Sequence, residues 1–389
     1  MTDAETESAL DFPWGVVRPR AGGRALPAVR AGDDAVVLAT LAQIGLLGAD
    51  PELAHALLEP DLNALIELGR PAWQALRERL REVAAAGAIP AGARLPLAAC
   101  ETVRPVRITD YVDFYASLEH ATNLGRIFRP DRPALRPNWR HMPVGYHGRS
   151  STVVVSGTPV RRPHGQIAPG ELAPTRALDF ECELGFICGP SAAGPIPIDS
   201  AAEHLFGVVL VNDWSARDVQ RLEYEPLGPF LGKSFLTSMS AWITPLDELS
   251  SARVAPRPQD PEPAPYLRAR SPWSVDVEFE IELNGELISR PRARDLYWTP
   301  AQMLAHLTVN GATLSAGDLF ASGTISGAEP GTEGSLAELH GGTHWLRDGD
   351  EVVLRATAGD IALGDVRGRV SPAGGLRGSV PTSTGGRER

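Results

Sequence analysis

Between Ser274 and Leu283 the chain alternates without a break. Val275, Val277, Phe279, Ile281 and Leu283 fall on one side, and Asp276, Glu278, Glu280 and Glu282 on the other. A period of two makes this a strand with opposite apolar and acidic faces, and Asn284-Gly285 closes it as a tight hairpin turn. The acidic row reads as a solvated sheet face. Gly207 to Val211 is instead a continuous apolar run, the mark of a buried strand, and it leads straight into Asn212-Asp213-Trp214. In Leu178 to Leu184, Glu181 and Glu183 share one strand face and Cys182 takes the other. Strands are also expected at Thr152 to Val155, on both sides of Ser322–Gly327, and as a final pair over Asp350 to Ala356 and Asp365 to Val370.

Helical spacing is confined to a few stretches. Pro71 opens a helix with Trp73, Leu76, Leu80 and Val83 on one face and Gly87 at its end. Asp50-Pro51 and Asp61 are further helix starts, and Thr299-Pro300 caps a helix running to about Val309. Ala28 to Leu38 reads as two strands around a Gly-Asp turn. The proline-dense stretch 255–272 reads as a surface excursion. The pattern predicts a mostly β protein: an N-terminal β domain with helices over 1–104, a mostly antiparallel domain over 105–370, and a disordered tail over 371–389. The boundary is placed in the Pro/Ala-rich connection 88–105.

Composition narrows the partners. At 389 residues the chain is long enough for two domains, and its net charge of -11 argues against nucleic acid and anionic membranes. No targeting segment is visible at the start, and the apolar runs are too short to span a bilayer. Cys100, Cys182 and Cys188 have no metal-type spacing and read as reduced thiols of a cytoplasmic protein.

The candidate chemistry is carboxylate-rich. Asp113, Glu181, Glu183 and Asp213 lie on or beside apolar strands. Any one alone would be read as a surface acid. Together they form an all-oxygen donor set suited to Mg²⁺ or Ca²⁺ rather than zinc. Arg217 and Lys233 are close enough in sequence to Asp213 to offset the excess negative charge. His120 follows Asp113 in a segment rich in Tyr, Asp and Arg, and its side-chain type suits base work near neutrality. His147 reads as a packing or turn residue. Ser322–Gly327 offers hydroxyls and backbone N–H groups for an oxyanion. There is no P-loop and no G-x-S-x-G elbow.

The runs NDWSARD, PLGPFLGKSF, PVGYHGR and ASGTISG, at these separations, are highly specific. By them the chain resembles the fumarylacetoacetate hydrolase family, over most of its length to Val370. The resemblance implies an N-terminal SH3-like domain, a C-terminal β-roll and a homodimer. It implies metal ligands at Asp113, Glu181, Glu183 and Asp213, with Lys233 and Thr237 also at the metal. It implies His120 as general base, Glu338 as the acid orienting it, and Arg217, Gln220 and Lys233 as groups stabilising charge. Tyr115, Arg129, Tyr146, Gln220, Tyr224 and Thr324 match substrate contacts. One departure is visible: the segment after Glu338 is shorter than the family's and reaches Asp348-Gly349-Asp350 quickly. The activity implied is metal-dependent hydrolysis of a C–C bond in 4-fumarylacetoacetate, ending tyrosine, phenylalanine and homogentisate breakdown. The alternatives are an acylpyruvate-type hydrolase, decarboxylase or isomerase of the same superfamily, or a metal-stabilised β scaffold without catalysis.

Overall fold

The computed structural model describes residues 13–375, so most of the tail expected at 371–389 lies outside the described residues. Strands Trp14–Pro19, Leu26–Ala31 and Asp34–Val37 form an antiparallel meander, and Cys100–Val103 returns to pair with Trp14–Pro19. The turn between the second and third strands holds Gly32 at φ +61°, a conformation glycine adopts without steric cost. The helix Arg70–Ala85 has Pro71 in its first turn and buries Trp73, Leu76, Leu80 and Val83, as the spacing predicts. Its polar side is tied to the segment Leu246–Ala252: Arg70 and Gln74 bond Asp247, and Arg77 and Arg81 bond Glu248.

The centre of the molecule is the antiparallel pair Cys182–Cys188 and Leu205–Asp213, in register from Cys182 opposite Asn212 to Ile187 opposite Gly207, with a shift before Cys188 meets Leu205. Every residue of both strands is buried. The reason is that the pair lies between two cores. Val208 and Leu210 pack with Phe186, Phe279, Ile281 and Leu354 on one side. Phe206, Val209 and Val211 pack with Trp14, Trp73 and Leu65 on the other. A strand covered on both faces needs no polar alternation, which is why the sequence there is continuously apolar. Thr237–Met239 and Trp242–Pro245 also pair with Leu205–Asp213, and the latter pairs onward to Trp14–Pro19. The N-terminal strands therefore belong to the same hydrogen-bonded sheet as the central ones.

A second sheet closes the larger core. Glu278–Leu283 pairs with Glu286–Ser289 and with Glu351–Ala358, which in turn pairs with Ile361–Ser371. Val277, Phe279 and Ile281 are buried, whereas Glu280 and Glu282 meet Arg290 and Arg355 at the surface. Asn284 and Gly285 both have positive φ, as the two-residue hairpin turn requires. The helix Pro300–Thr308 starts with a full capping box between Thr299 and Gln302.

Two expectations are corrected. Only the upstream side of Ser322–Gly327 is a strand, Leu319–Ala321; downstream, Pro330, Gly331 and Gly334 break the chain before a short helix, Leu336–Leu339, capped by Ser335. The stretch 255–272 is irregular but not purely superficial, because Leu267 is buried and Gln259 bonds Gln302 and the Tyr297 carbonyl.

Candidate active site

Strand ends deliver the acids. Tyr111–Phe114 lies parallel to Leu319–Ala321, which pairs with Cys182–Cys188, so Asp113 stands level with Gly185, two residues along the strand from Glu183. Asp213 is the last residue of its strand. Glu181 precedes its strand and is fixed there by two bonds: its N–H donates to Asn212 Oδ1 at 3.2 Å, and its carbonyl accepts from Asp213 N at 3.2 Å. One carboxylate oxygen from each of Asp113, Glu181, Glu183 and Asp213 lies within 4.8 Å of all the others, and all four residues are buried.

Other side chains hold the cage from outside. Gly145–His147 pairs with Tyr111–Phe114 so that Tyr146 stands opposite Asp113, and its hydroxyl is 2.8 Å from both Asp113 Oδ2 and Asp213 Oδ2. Thr237 Oγ1 donates to Asp213 Oδ1 at 2.8 Å. Lys233 Nζ bonds Glu181 and lies 3.0 Å from Asp213. Arg217 Nη1 is 2.7 Å from Glu181 Oε1, and its Nε donates to Asp179 at 2.8 Å. Lys233 is placed by the turn before it, in which the Glu223 carboxylate accepts the N–H groups of Phe230, Leu231 and Gly232.

The charges do not balance. Burial, then Asp213, pushes the Asp113 carboxyl well above the usual range; burial, then Asp113 and Asp213, does the same to Glu183. Burial alone would also raise Glu181, but Lys233 and Arg217 more than offset it and hold that carboxyl low. Both oxygens of Glu183 and Oδ1 of Asp113 are buried and have no hydrogen-bond partner. Orphaned, mutually repelling oxygens of this kind fit a hard divalent cation, which would satisfy them and cancel the repulsion.

His120 sits in the first turn of the helix Leu118–Phe128, whose cap, Ser117, accepts the His120 N–H. Its ring is buried. Nδ1 is 2.6 Å from Glu338 Oε2, and Nε2 is 3.8 Å from Glu181 Oε1. Burial opposes the charge on Glu338, but His120, Asn123 and Ser335 hold its carboxyl below the usual range. An ionised Glu338 accepts, so the proton is assigned to Nδ1 and Nε2 is left as the free base. Ser326, Ser335 and Asn123 donate to the same carboxylate at 3.0, 2.8 and 3.1 Å. After Glu338 the chain turns away at once through Gly341 and Gly342, both at positive φ.

These groups open on a cavity of about 250 Å³. Tyr115, Arg129, Tyr146, Gln220, Tyr224 and Thr324 all line it, with Leu124, Phe128, Val144 and Leu227 as its apolar wall. Three polar atoms there are buried without partners: Arg217 Nη2, Arg129 Nε and Thr324 Oγ1. The expectation for Ser322–Gly327 is only partly met. The N–H groups of Ser322, Ile325 and Gly327 are used by backbone carbonyls, and Ser322 and Ser326 hydroxyls by Gly323 O and Glu338. Thr324 is the residue of that run whose hydroxyl stays free. His147 lies exposed, 3.4 Å from Asp110, and is not packed. The sequence reading missed Asp179, although it shares the two-residue period of Glu181 and Glu183, and missed Asn212 and Ser326, which only long-range contacts reveal.

Residues 110–371 match the family model described as fumarylacetoacetate (FAA) hydrolase C-terminal, and residues 10–103 match that described as fumarylacetoacetase N-terminal. The chain belongs to the fumarylacetoacetate hydrolase family. Among its relatives, the fumarylacetoacetase of Bos taurus is 41% identical over 403 residues, covering 93% of this chain and 96% of that one. That of Homo sapiens is 41% identical with the same coverage, and that of Arabidopsis thaliana is 38% identical over 93% of this chain and 95% of that one. Solved structures of the same fold include a fumarylacetoacetate hydrolase from psychrophilic Exiguobacterium antarcticum, at TM-score 0.59 and 18% identity over 93% of this chain and 99% of that one. A 5-carboxymethyl-2-hydroxymuconate delta-isomerase from Mycobacterium smegmatis aligns at TM-score 0.55 and 17% identity, over 94% of this chain and 100% of that one. A family fold shared by hydrolases and isomerases leaves the reaction to the side chains.

Proposed function

We propose that this chain hydrolyses 4-fumarylacetoacetate to fumarate and acetoacetate. The observation that carries the reading is a buried His120 whose Nδ1 is held by Glu338 and whose Nε2 faces the carboxylate cage. The likeness to fumarylacetoacetases along both parts of the chain supports it over the isomerase reading, which rests on distant structures.

Asp113, Glu181, Glu183 and Asp213 would hold the divalent ion, Mg²⁺ or Ca²⁺ by their all-oxygen donors. When bound, it supplies Lewis-acid polarisation of the substrate's diketone oxygens. The chain's own residues do the rest. Nε2 of His120 takes a proton from water, and the water oxygen bonds to the carbonyl carbon next to the fumaryl unit. Arg217, through its unpartnered Nη2, and Gln220 stabilise charge on the oxygen of that carbonyl. The carbonyl re-forms as the C–C bond breaks. The bonding pair leaves on the acetoacetate side as an enolate, facing the Lys233 ammonium. Burial would lower that ammonium, but Asp213 and Glu181 hold it protonated. A proton returns to carbon, and acetoacetate and fumarate depart. Arg129, Tyr115, Tyr146, Tyr224 and Thr324 grip the substrate's carboxylate and oxygen groups.

We read the enzyme as a cytoplasmic homodimer that closes tyrosine, phenylalanine and homogentisate breakdown, with 1–104 as an SH3-like domain and 105–370 as the catalytic one. The test is an absorbance assay on fumarylacetoacetate with and without chelator, beside acylpyruvates and an isomerase substrate. Chelator-sensitive loss of fumarylacetoacetate is expected. Turnover of another panel member alone would transfer the chain to the alternative reaction.

A further inference from the structure

Asp179 is wholly buried, is not one of the cage carboxylates, and has every bond committed. Oδ1 accepts from Phe180 N at 2.8 Å and Leu336 N at 2.9 Å. Oδ2 accepts from Arg217 Nε at 2.8 Å and Ala337 N at 3.2 Å. Three of its four partners come from two segments far apart in the chain. The Arg217 guanidinium reaches on to Glu181 and Gln220, its Nη2 is buried without a partner, and the residue lines the cavity. Leu336 and Ala337 begin the short helix that carries Glu338, the carboxylate on His120. Ser335 caps only Glu338 N of that helix, so its first two N–H groups depend on Asp179.

We propose that Asp179 is a positioning residue that keeps these two arms in register: the Arg217 donor and the Glu338–His120 pair. The proposal rests on the hydrolase reading above. Physically, only a carboxylate can accept on both oxygens from four donors. An amide at this place turns an NH₂ toward at least one N–H, so one arm must give way. A shift of a fraction of an ångström at either arm misaligns donor or base with the reacting carbonyl. Asp179 neither lines the cavity nor belongs to the carboxylate cage, so its effect passes through the two arms.

The experiment is a pair of double-mutant cycles on the full-length enzyme with Mg²⁺ present: Asp179→Asn with Arg217→Lys, and Asp179→Asn with Glu338→Gln. Asp179→Asn is expected to lower kcat about 100-fold while KM stays within about 3-fold. In each cycle the double variant should be no more than about 3-fold slower than its slower single variant. Losses that multiply in both cycles overturn the proposal. Coupling in one cycle only confines Asp179 to that arm and overturns the link between them. A second measurement is the downfield proton resonance of His120 Nδ1, assigned by its loss in His120→Ala. It should move in Asp179→Asn, and an unmoved resonance overturns the Glu338 arm. Asp179→Glu, which keeps the charge but lengthens the reach, is the second variant. If neither variant unfolds cooperatively, Asp179 is a scaffold residue and the proposal fails. Absence of wild-type turnover sinks the proposed activity instead, and the resonance still reads the Asp179 contact.

Discussion

His120 and Glu338 are 218 residues apart in the chain and 2.6 Å apart in space. Their geometry makes a sharp claim about function, because a histidine held at Nδ1 by an ionised carboxylate can act only through Nε2. Replacing His120 by Ala should lower kcat by about 10²–10⁴-fold while the protein still folds, at a cost in stability because the buried Glu338 loses a partner. Glu338→Gln should cost about 10–100-fold, because an amide still fills the space but no longer fixes the tautomer. Steady-state kinetics with circular dichroism on both variants checks this. A Glu338→Gln enzyme at full rate would remove Glu338 from the catalytic reading. At this scale the sequence was informative about residue types and poor about partners. Glu181 and Glu183 could be paired from their period alone, but the choice of Glu338 for His120 came from resemblance, since a contact between distant segments leaves no local signal. Asp179 had the local signal and lacked the context: a third acid on the same period looks redundant until Arg217 is seen against it.

Elements carry the site through their ends. Strand ends present the acids, a helix start presents His120, and the turn after Leu319–Ala321 presents Thr324. That turn depends on Gly323, which sits at φ +72° with the Phe114 carbonyl oxygen 2.1 Å from where a Cβ would be. Gly323→Ala therefore meets both backbone strain and a clash with main chain that cannot swing aside. The expected result is a loss of about 1–3 kcal/mol of stability by denaturant titration and a fall in kcat as Thr324 shifts. An unchanged midpoint and rate would show that the turn is not fixed as described. The helix Pro300–Thr308 offers a control remote from the chemistry: Thr299→Ala removes a cap, should cost about 1 kcal/mol, and should leave kcat unaltered. The alternating strand, the capped helices and the Asn-Gly hairpin were legible because each is specified within a few residues. The missing strand after Gly327 was not, because glycine and proline there break a ladder whose partner the sequence does not name.

For the whole molecule, the carboxylate cage is a source of instability that the ion removes. Four acids are buried between two cores, facing Lys233 and an Arg217 that is shared with Asp179. Asp113 and Glu183 have their carboxyls raised in the folded state, by burial first and neighbouring acids next. Above the ordinary carboxylate range the ion-free native protein therefore holds more protons than the unfolded chain. Its stability must fall as pH rises through that window. Glu181 and Glu338 have lowered carboxyls, so the stability they contribute is lost only as pH falls below the ordinary range, outside the window. Ion binding needs the deprotonated acids and releases their protons, so its stabilisation must grow with pH. At a hundredfold excess over Kd the ion adds about 2.7 kcal/mol, and the same total ion should add less at pH 5.5 than at pH 7.5. Thermal unfolding with Mg²⁺, with Ca²⁺ and with chelator, at both pH values, measures this without any turnover. Glu183→Gln removes one of the raised acids and should flatten the pH dependence of the ion's effect while weakening binding. If the ion-induced rise in Tm is the same at both pH values, the four acids do not share protons in the way their burial requires, and the cage is not where the ion binds.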